Sequence, residues 1–140
     1  ALGLKTDDRT NHYADVTTDA WYASYINAAS EYKLIQGYSN GNFGPNDKIT
    51  RQQAMTILAR ALLLTDIDTT ISEQEATTIL AAFKDEGQIA EYAKSPIAVA
   101  VKTGLVTGKE NKTIAPTANI SRAEVAVIIE RFLKKAELIN

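Results

Sequence analysis

Two stretches of sequence decide the fold, ITRQQAMTILARAL at residues 49–62 and ISRAEVAVIIERFL at residues 120–133. In each, the second residue is a Thr or Ser that is followed three residues later by Gln or Glu, the capping-box pattern that starts an α-helix. Behind each cap, apolar residues recur at i, i+3, i+4 and i+7, which places them on one helix face. They are Ala54, Ile57, Leu58 and Ala61 in the first stretch and Val125, Ile128, Ile129 and Phe132 in the second. We therefore predict two amphipathic helices that bury these faces.

Both stretches belong to a longer duplicated segment. Residues 21–62 align without a gap on residues 92–133, and 12 of the 42 aligned positions are identical. The repeated residues include Gly, Asn, Pro and Arg as well as apolar positions, so a supersecondary unit was duplicated together with its surface. In the first copy, a helix that follows the predicted N-cap Asp19 leads into the loop 37–45, whose Gly and Asn residues end it.

The predicted fold class is all-α, with tandem helix-loop-helix repeats that form a helical bundle. A further helix is predicted at about 72–82, between the copies, where Ser72 and Glu75 form a third capping box. Strand signals are weak because no period-two pattern is sustained. Since repeats of this kind are weak alone, we expect the two copies to share a core. The expected core side chains are Ile57, Leu58, Ile128, Ile129 and Leu133.

Composition excludes several classes of function. The chain has 140 residues, of which 45% are hydrophobic, and this suits one compact domain. Its formal charge of −2 and its dispersed Lys and Arg residues argue against a nucleic-acid partner. The absence of Cys excludes a disulfide framework, a thiolate zinc site and a thiol nucleophile. No apolar run reaches the roughly 18 residues that a membrane span needs. We expect no membrane partner, no metal and no cofactor.

The first residues of the chain resemble the end of a repeat. Residues 1–4 align with residues 61–64, at the end of the first copy's second helix. We therefore expect residues 1–5 to be the tail of a preceding repeat in a longer protein. A missing neighbour leaves an apolar face uncovered, so we expect either self-association or a missing third repeat.

Both repeats place an arginine, Arg51 or Arg122, at the first position of the second helix. A cation there opposes the helix macrodipole, so capping alone does not explain it. One interpretation is an anion site, because a helix N-terminus offers N–H groups and a guanidinium adds a bidentate fork for carboxylate or phosphate. The other is that each arginine pairs with a nearby acidic residue and pins adjacent repeats together. The sequence leaves both interpretations open.

The loop upstream of Arg51 combines Gly37, Tyr38, Asn40 and Phe43. Flexible backbone, amides and aromatic rings suit sugars, which need polar partners for hydroxyls and a ring for their C–H faces. Phe43 is also expected to plug the loop onto the core. Trp21, at the start of the first helix, is either a partly buried anchor or a stacking residue.

Taken together, these elements resemble the S-layer homology module. In the first copy they are Tyr13-Ala14-Asp15-Val16, Trp21, the loop Gly37 to Pro45 and Ile49-Thr50-Arg51-Gln52-Gln53-Ala54. In the second copy they are Phe83-Lys84-Asp85, Tyr92, Gly108, Pro116 and Ile120-Ser121-Arg122-Ala123-Glu124. The resemblance covers residues 13–62 and 83–133, nearly the whole chain.

The resemblance implies modules at 13–64 and 83–135, and a pseudo-threefold bundle where three modules are present. It also implies an exported, extracellular protein that is held at the bacterial cell wall by non-covalent binding of an anionic secondary cell-wall polysaccharide, often pyruvylated, and that is not an enzyme. A ketal carboxylate is an anion of the kind that an arginine at a helix N-terminus holds. The predicted ligand-binding residues are Arg51, Trp21, Gly37, Tyr38, Asn40, Asp15, Gln53, Arg122, Glu124, Tyr92, Gly108, Lys109 and Asp85.

The two copies depart from the family pattern in different ways. The first has Asn40 and Gln53 where the family has acids, so it loses charge but keeps hydrogen-bonding shape. The second lacks the loop aromatics and has Tyr92 in place of Trp, while Lys109 adds a cation. Because only the first copy has a full set of stacking groups, we expect Arg51 rather than Arg122 to carry ligand binding, without a contribution to stability.

Three other functions compete with glycan binding. A hydrolytic triad or histidine metal site is disfavoured because His12 is the one histidine and no nucleophile elbow accompanies it. Calcium binding is disfavoured because the second loop carries Lys109 and Lys112, which repel a cation. A protein-interaction or assembly module of the cell surface remains open as the alternative function.

Overall fold

The computed structural model describes residues 12–138, and these residues form an all-α architecture, as the sequence predicts. Five α-helices and one short 3-10 helix make up their regular structure. The helices are α1 (Ala23–Glu31), α2 (Arg51–Leu62), α3 (Glu73–Leu80), α4 (Glu91–Lys102) and α5 (Arg122–Lys135), with the 3-10 helix at Glu86–Gln88. Thr50 and Asn119 form an isolated antiparallel bridge. The predicted tail of a preceding repeat, residues 1–5, lies outside the described residues.

The chain consists of two compact units, of which the first ends at Lys48 and the second begins at Ile49. The boundary falls between the loop and the second helix of the first repeat. Helix α2 therefore belongs to the second unit, together with α3, α4 and α5. The division into modules at 13–64 and 83–135 stays a prediction.

The first unit is built around α1. Its small core contains Val16, Ala23 and Ile26, against which partly buried aromatic residues pack. The rings of Tyr13 and Phe43 lie 5.4 Å apart, so Phe43 plugs the loop onto this core, as expected.

The prediction that Asp19 caps α1 is wrong. The helix begins at Ala23, and the residue that precedes it is Tyr22, which provides no side-chain cap. The chain ahead of the helix is folded into turns, in which the N–H of Ala20 donates to the carbonyl of Thr17. Asp19 lies within these turns, and a hydrogen bond from the Thr17 side chain lowers the pKa of its carboxyl group.

The second unit has α4 at its centre. Helices α2 and α3 both pack on α4, and α5 packs on α2. The side chains of Ile97 on α4 and of Met55 and Leu62 on α2 are fully buried there. The insert α3 is also attached by Lys102, whose Nζ lies 2.9 Å from Glu75 Oε1 and donates to the carbonyl of Thr70.

The predicted apolar faces are only partly right. On α2, Ala54 and Ala61 of the predicted face are buried, as predicted, while Ile57 and Leu58 are half-buried. Met55 and Leu62, outside the predicted face, are fully buried, because this helix carries apolar residues on more than one face. On α5, Ile128 and Phe132 are buried, as predicted. Two core predictions fail on α5, because Ile129 is 42% exposed and Leu133 is half-buried.

Two of the three predicted capping boxes are complete. Thr50 with Gln53 and Ser121 with Glu124 each make both reciprocal hydrogen bonds. At α3, Ser72 accepts from the N–H of Glu75, so only half of the predicted box is present. The Glu75 carboxylate instead pairs with Lys102.

Candidate functional site

The two loops predicted to carry the sites have similar backbones, except at the glycine that begins each, since φ is positive at Gly108 and not at Gly37. In the first, Asp15 accepts hydrogen bonds from the N–H groups of Phe43 and Gly44, both at 2.8 Å. In the second, Asp85 accepts from Ile114 and Ala115 at 2.9 and 2.7 Å. Each carboxylate thus closes its loop with two charge-assisted bonds, and those to Phe43 and Gly44 lower the pKa of Asp15.

Gly108 is required by close packing. A Cβ atom at this position would lie 2.6 Å from Cε1 of Phe83, and the backbone φ is +75°. Gly37 is likewise packed against the ring of Tyr13. In both copies the glycine therefore lets the loop lie directly on an aromatic side chain. The N–H of Gly108 makes no hydrogen bond to the described residues.

The N-terminus of α2 is closed by the second copy's loop. The N–H of Arg51 donates to the carbonyl of Ala118 at 2.8 Å, and that of Gln52 to the carbonyl of Pro116 at 3.0 Å. The N–H of Gln53 donates to the Thr50 hydroxyl. Because these donors of the first turn are already used, the expectation of free N–H groups for an anion at this helix is wrong.

The guanidinium of Arg51 is buried, with a side chain that is only 6% exposed. Its Nε donates to the carbonyl of Ile114 at 2.8 Å, and its Nη1 pairs with Glu124 on α5. These contacts tie the start of α2 to the second loop and to α5. They match the second interpretation from sequence, in which the arginine pins neighbouring elements together, and they explain why α2 tolerates a cation at its first position.

Glu124 lies next to two cations, Arg51 and Lys109. Its carboxylate accepts from the N–H of Ser121 at 3.0 Å, pairs with Arg51, and lies 3.6 Å from Nζ of Lys109. The pKa of Glu124 is lowered, first by the Ser121 hydrogen bond and further by the two cations. The Lys109 contact is long and partly exposed, so it is the weaker of the two pairings.

These residues border a cavity of about 290 Å³ within the second unit. Its walls come from α5, from the segment leading into the second loop, and from Arg51 on α2. The lining residues are Arg51, Val106, Thr107, Gly108, Lys109, Ala123, Glu124, Val127, Ile128 and Arg131. The cavity thus contains three cations and one carboxylate, together with an apolar wall that includes Val127, which is 49% exposed. This combination can hold an anionic group and an apolar face side by side.

Sequence reasoning found Arg51, Gly108, Lys109 and Glu124 in this cavity and missed Arg131. Arg131 follows Glu124 by seven residues, so both lie on one face of α5. It also aligns with Arg60 in the first copy, and this repeated arginine was the available signal. Predicted site residues that do not line the cavity are Asp85, Tyr92 and Gln53. The side chain of Arg122 is outside the described part of the chain.

The remaining predicted residues belong to the first unit. Trp21 is 79% exposed and makes an edge contact with Tyr22, so it is a surface group and not a buried anchor. The hydroxyl of Tyr38 donates to Asp47 at 3.0 Å, which raises the pKa of Tyr38. Asn40 accepts from the N–H of Asn42, which stabilises the turn. The expected stacking groups thus belong to the first unit. Arg51 belongs to the second unit, and the residues that contact its side chain there come from the second copy.

The described residues lack two further classes of site. Residues 12–138 contain no group of three or more His, Asp or Glu side chains placed to hold a metal ion. None of the helices in this range combines the length and the apolar character that a membrane crossing needs.

Comparison with known proteins places these features in a family context. The S-layer homology domain pattern matches residues 12–55 and 82–126. The chain is 36% identical over 137 residues to an amylopullulanase of Thermoanaerobacterium thermosulfurigenes, covering 96% of this chain and 7% of that protein. It is 33% identical over 140 residues to the surface-layer 125 kDa protein of Lysinibacillus sphaericus, covering 98% and 11%. A cellulosome-anchoring protein of Acetivibrio thermocellus is 29% identical over 127 residues, covering 90% and 27%.

Proposed function

The chain belongs to the S-layer homology domain family, and from this membership we propose that it anchors an exported protein to the bacterial cell wall. The proposed ligand is an anionic secondary cell-wall polysaccharide, of which a pyruvylated polymer is the favoured form. The attachment is non-covalent and the location is the cell surface. The chain itself is proposed to bind and not to catalyse.

The observation that carries this proposal is the cavity of the second unit. It brings an excess of cations next to an apolar wall, at the loop where Gly108 brings backbone close to the site. A sugar with a carboxylate presents both an anion and C–H surface, so its two faces match the two kinds of lining. A neutral sugar would leave Lys109 and Arg131 without a counter-charge from the ligand.

The relatives support the proposed location at the cell surface but give no support for the proposed specificity for a pyruvylated polymer. A surface-layer protein and a cellulosome-anchoring protein match almost all of this chain. The matching amylopullulanase is a much larger protein, of which the chain spans 7%. A module shared by such different proteins is better suited to attachment than to any one of their activities, and the activity of the parent protein is left open by this proposal.

The first unit provides a second proposed contact surface. Trp21, Tyr38 and Asn40 are exposed there and combine aromatic rings with an amide. We propose that they stack on and hydrogen-bond to sugar units, as the sequence suggests. Asp15 and Gly37 shape the loop that carries Tyr38 and Asn40, and Asp85 and Gly108 do the same for the second loop.

The role first expected for Arg51 needs one change. The sequence predicts that Arg51→Ala leaves stability unaffected, but the guanidinium is buried and donates to both Ile114 and Glu124. Its removal breaks a largely buried pair, and because Glu124 is one-third exposed we expect a loss of about 2 to 4 kcal/mol, near the lower end for buried pairs. Binding by this variant is therefore measured only at a temperature where it remains folded.

The test is binding of the chain to purified cell-wall sacculi before and after chemical removal of pyruvate ketals. The expected result is saturable binding that falls strongly after the removal, with sacculi stripped of all secondary polymer as the control. Equal binding to all three preparations would contradict an anionic polymer ligand. Absence of binding to sacculi, together with specific capture of a surface protein of the same cell, would favour the alternative function as an assembly module.

A further inference from the structure

The cations of the cavity differ in how strongly they are already engaged. Arg51 is buried and donates to both Ile114 and Glu124. Withdrawing it from Glu124 would break a largely buried pair, which is costly. A ligand that relied on Arg51 would first have to compete with these internal bonds.

Lys109 and Arg131 are more available. Nζ of Lys109 is 3.6 Å from Glu124, and the side chains of the pair are 46% and 33% exposed, so this contact contributes little and is readily exchanged. Arg131 lines the cavity and has no ion-pair or hydrogen-bond partner among the residues that the structure describes. Arg131 is half-buried, and among the described residues it is the one cation lining the cavity whose side chain no internal acceptor engages.

The spacing of these groups suits one sugar residue. Glu124 and Arg131 are seven residues apart on α5, which corresponds to about 10 Å along the helix. Val127 and Ile128 lie between them and also line the cavity. An apolar strip flanked by Lys109 at one end and Arg131 at the other matches a ring whose C–H face rests on Val127.

We infer that Lys109 and Arg131 are the residues that bind the ligand's carboxylate and neighbouring hydroxyls, and that Arg51 is a positioning residue that fixes Glu124 and the second loop. This inference rests on the proposed function, because it assigns the ligand class, a sugar bearing a carboxylate, to the same cavity. It adds Arg131 to the site and changes the role of Arg51. Glu124 then acts as a resident carboxylate that holds Lys109 until a ligand carboxylate replaces it.

The experiment compares three charge-removing variants, Lys109→Gln, Arg131→Gln and Lys135→Gln. Lys135 is the control, since it lies on α5, is exposed and does not line the cavity. Two ligands are used, purified sacculi and glucuronate. Glucuronate is a simple sugar with one carboxylate, and its binding is followed by the amide chemical shifts of the protein in NMR. Both cavity variants should weaken binding of each ligand by about fivefold or more without a change in melting temperature, because each loses a charge-assisted contact. The control should bind like the wild type.

A fourth variant, Arg51→Lys, separates positioning from direct contact. It keeps a cation but loses the fork that joins Ile114 and Glu124, so its melting temperature should fall. At a temperature where it is folded, its affinity for glucuronate should stay within about threefold of the wild type. This corresponds to less than half of the binding free energy that a tenfold loss of affinity represents. Normal binding by Lys109→Gln and Arg131→Gln, with loss only in Arg51→Lys, would overturn the inference and leave the proposed function intact. Binding of glucuronate in this pattern without binding of sacculi would overturn the proposed function and support the inference.

Discussion

The two loops of this chain have similar backbones beyond their first glycine and differ in almost every exposed side chain. Gly41 and Lys112 occupy equivalent positions with φ of +83° and +58°, as do Gly44 and Ala115 with +73° and +52°. The hydrogen bonds that Asp15 and Asp85 accept from backbone N–H groups hold both loops in this shape. The loop conformation therefore depends on a few part-buried contacts, and exposed residues between them differ, as at Tyr38 and its equivalent Lys109.

The same contrast applies to the helices that follow the loops. Leu62 on α2 and Leu133 on α5 are the same residue at equivalent positions, yet Leu62 is 0% exposed and Leu133 is half-buried. Equivalent positions of the two repeats are therefore surrounded by different neighbouring residues. Duplication preserved the sequence pattern, while the neighbours of each copy determine how much of it is buried.

The largest expected effect tests this difference in burial. Leu62→Ala should cost about 2 to 5 kcal/mol, because it removes a fully buried side chain and leaves a cavity. Leu133→Ala should cost clearly less, since part of that side chain is already in water. Leu58, once expected in the core, is half-buried and should resemble Leu133. Urea unfolding of the three variants gives the free energies, and equal losses at positions 62 and 133 would contradict the comparison.

The next prediction tests whether the two loops are closed equally. Asp15→Ala and Asp85→Ala each remove an acceptor shared by two backbone N–H groups, so each should lower the free energy of unfolding clearly more than a surface substitution does. Asp66→Ala is the control, because Asp66 is exposed, and its change should stay within about 0.5 kcal/mol. The measurement is again urea unfolding. A large loss at only one of the two aspartates would mean that the loops are not held alike.

Sequence alone identified the repeat, the helix starts at α2 and α5 and four residues of the cavity. These features depend on local chemistry, such as a Thr or Ser followed by Gln or Glu, which acts within one turn. The predictions that failed depend on distant groups. Nothing near Arg51 in sequence shows that Ile114 and Glu124 receive its guanidinium, and nothing in α2 shows that Met55 and not Ile57 faces the core. Tertiary packing decides both.

A third prediction uses the difference between the two complete capping boxes. Gln53 and Glu124 are equivalent, but only Glu124 titrates, and its pKa is held below the ordinary 4.5. A lowered folded pKa means that Glu124 contributes stability above its unfolded pKa and loses it as the pH falls through its folded pKa. Glu124→Gln should cost about 1 to 2 kcal/mol at pH 7 and show a smaller decline in stability below pH 4.5 than the wild type.

Unfolding free energies between pH 3 and pH 7 measure this effect, because this interval of about four units spans the ordinary carboxyl range. Gln53→Glu is the matched variant, since it places a titrating acid in the α2 box. It should gain pH dependence where Glu124→Gln loses it. If both variants keep the wild-type profile, the acid sensitivity arises elsewhere in the chain.

The smallest expected effect concerns one backbone angle that the two loops share. Ala115 has φ of +52°, a left-handed conformation that is unfavourable for a residue with a Cβ atom, and its first-copy equivalent is Gly44. Ala115→Gly should therefore stabilise the chain by about 0.5 to 1 kcal/mol, because relief of the left-handed strain outweighs the entropy that glycine loses on folding. The reverse change, Gly44→Ala, should destabilise it by more than that, since the added Cβ would also lie 2.8 Å from the ring of Tyr38. Thermal unfolding of both variants gives the two signs. A destabilising Ala115→Gly would mean that the methyl group of Ala115 contributes more through packing than its backbone angle costs, so that the second loop would be held by a contact the first lacks.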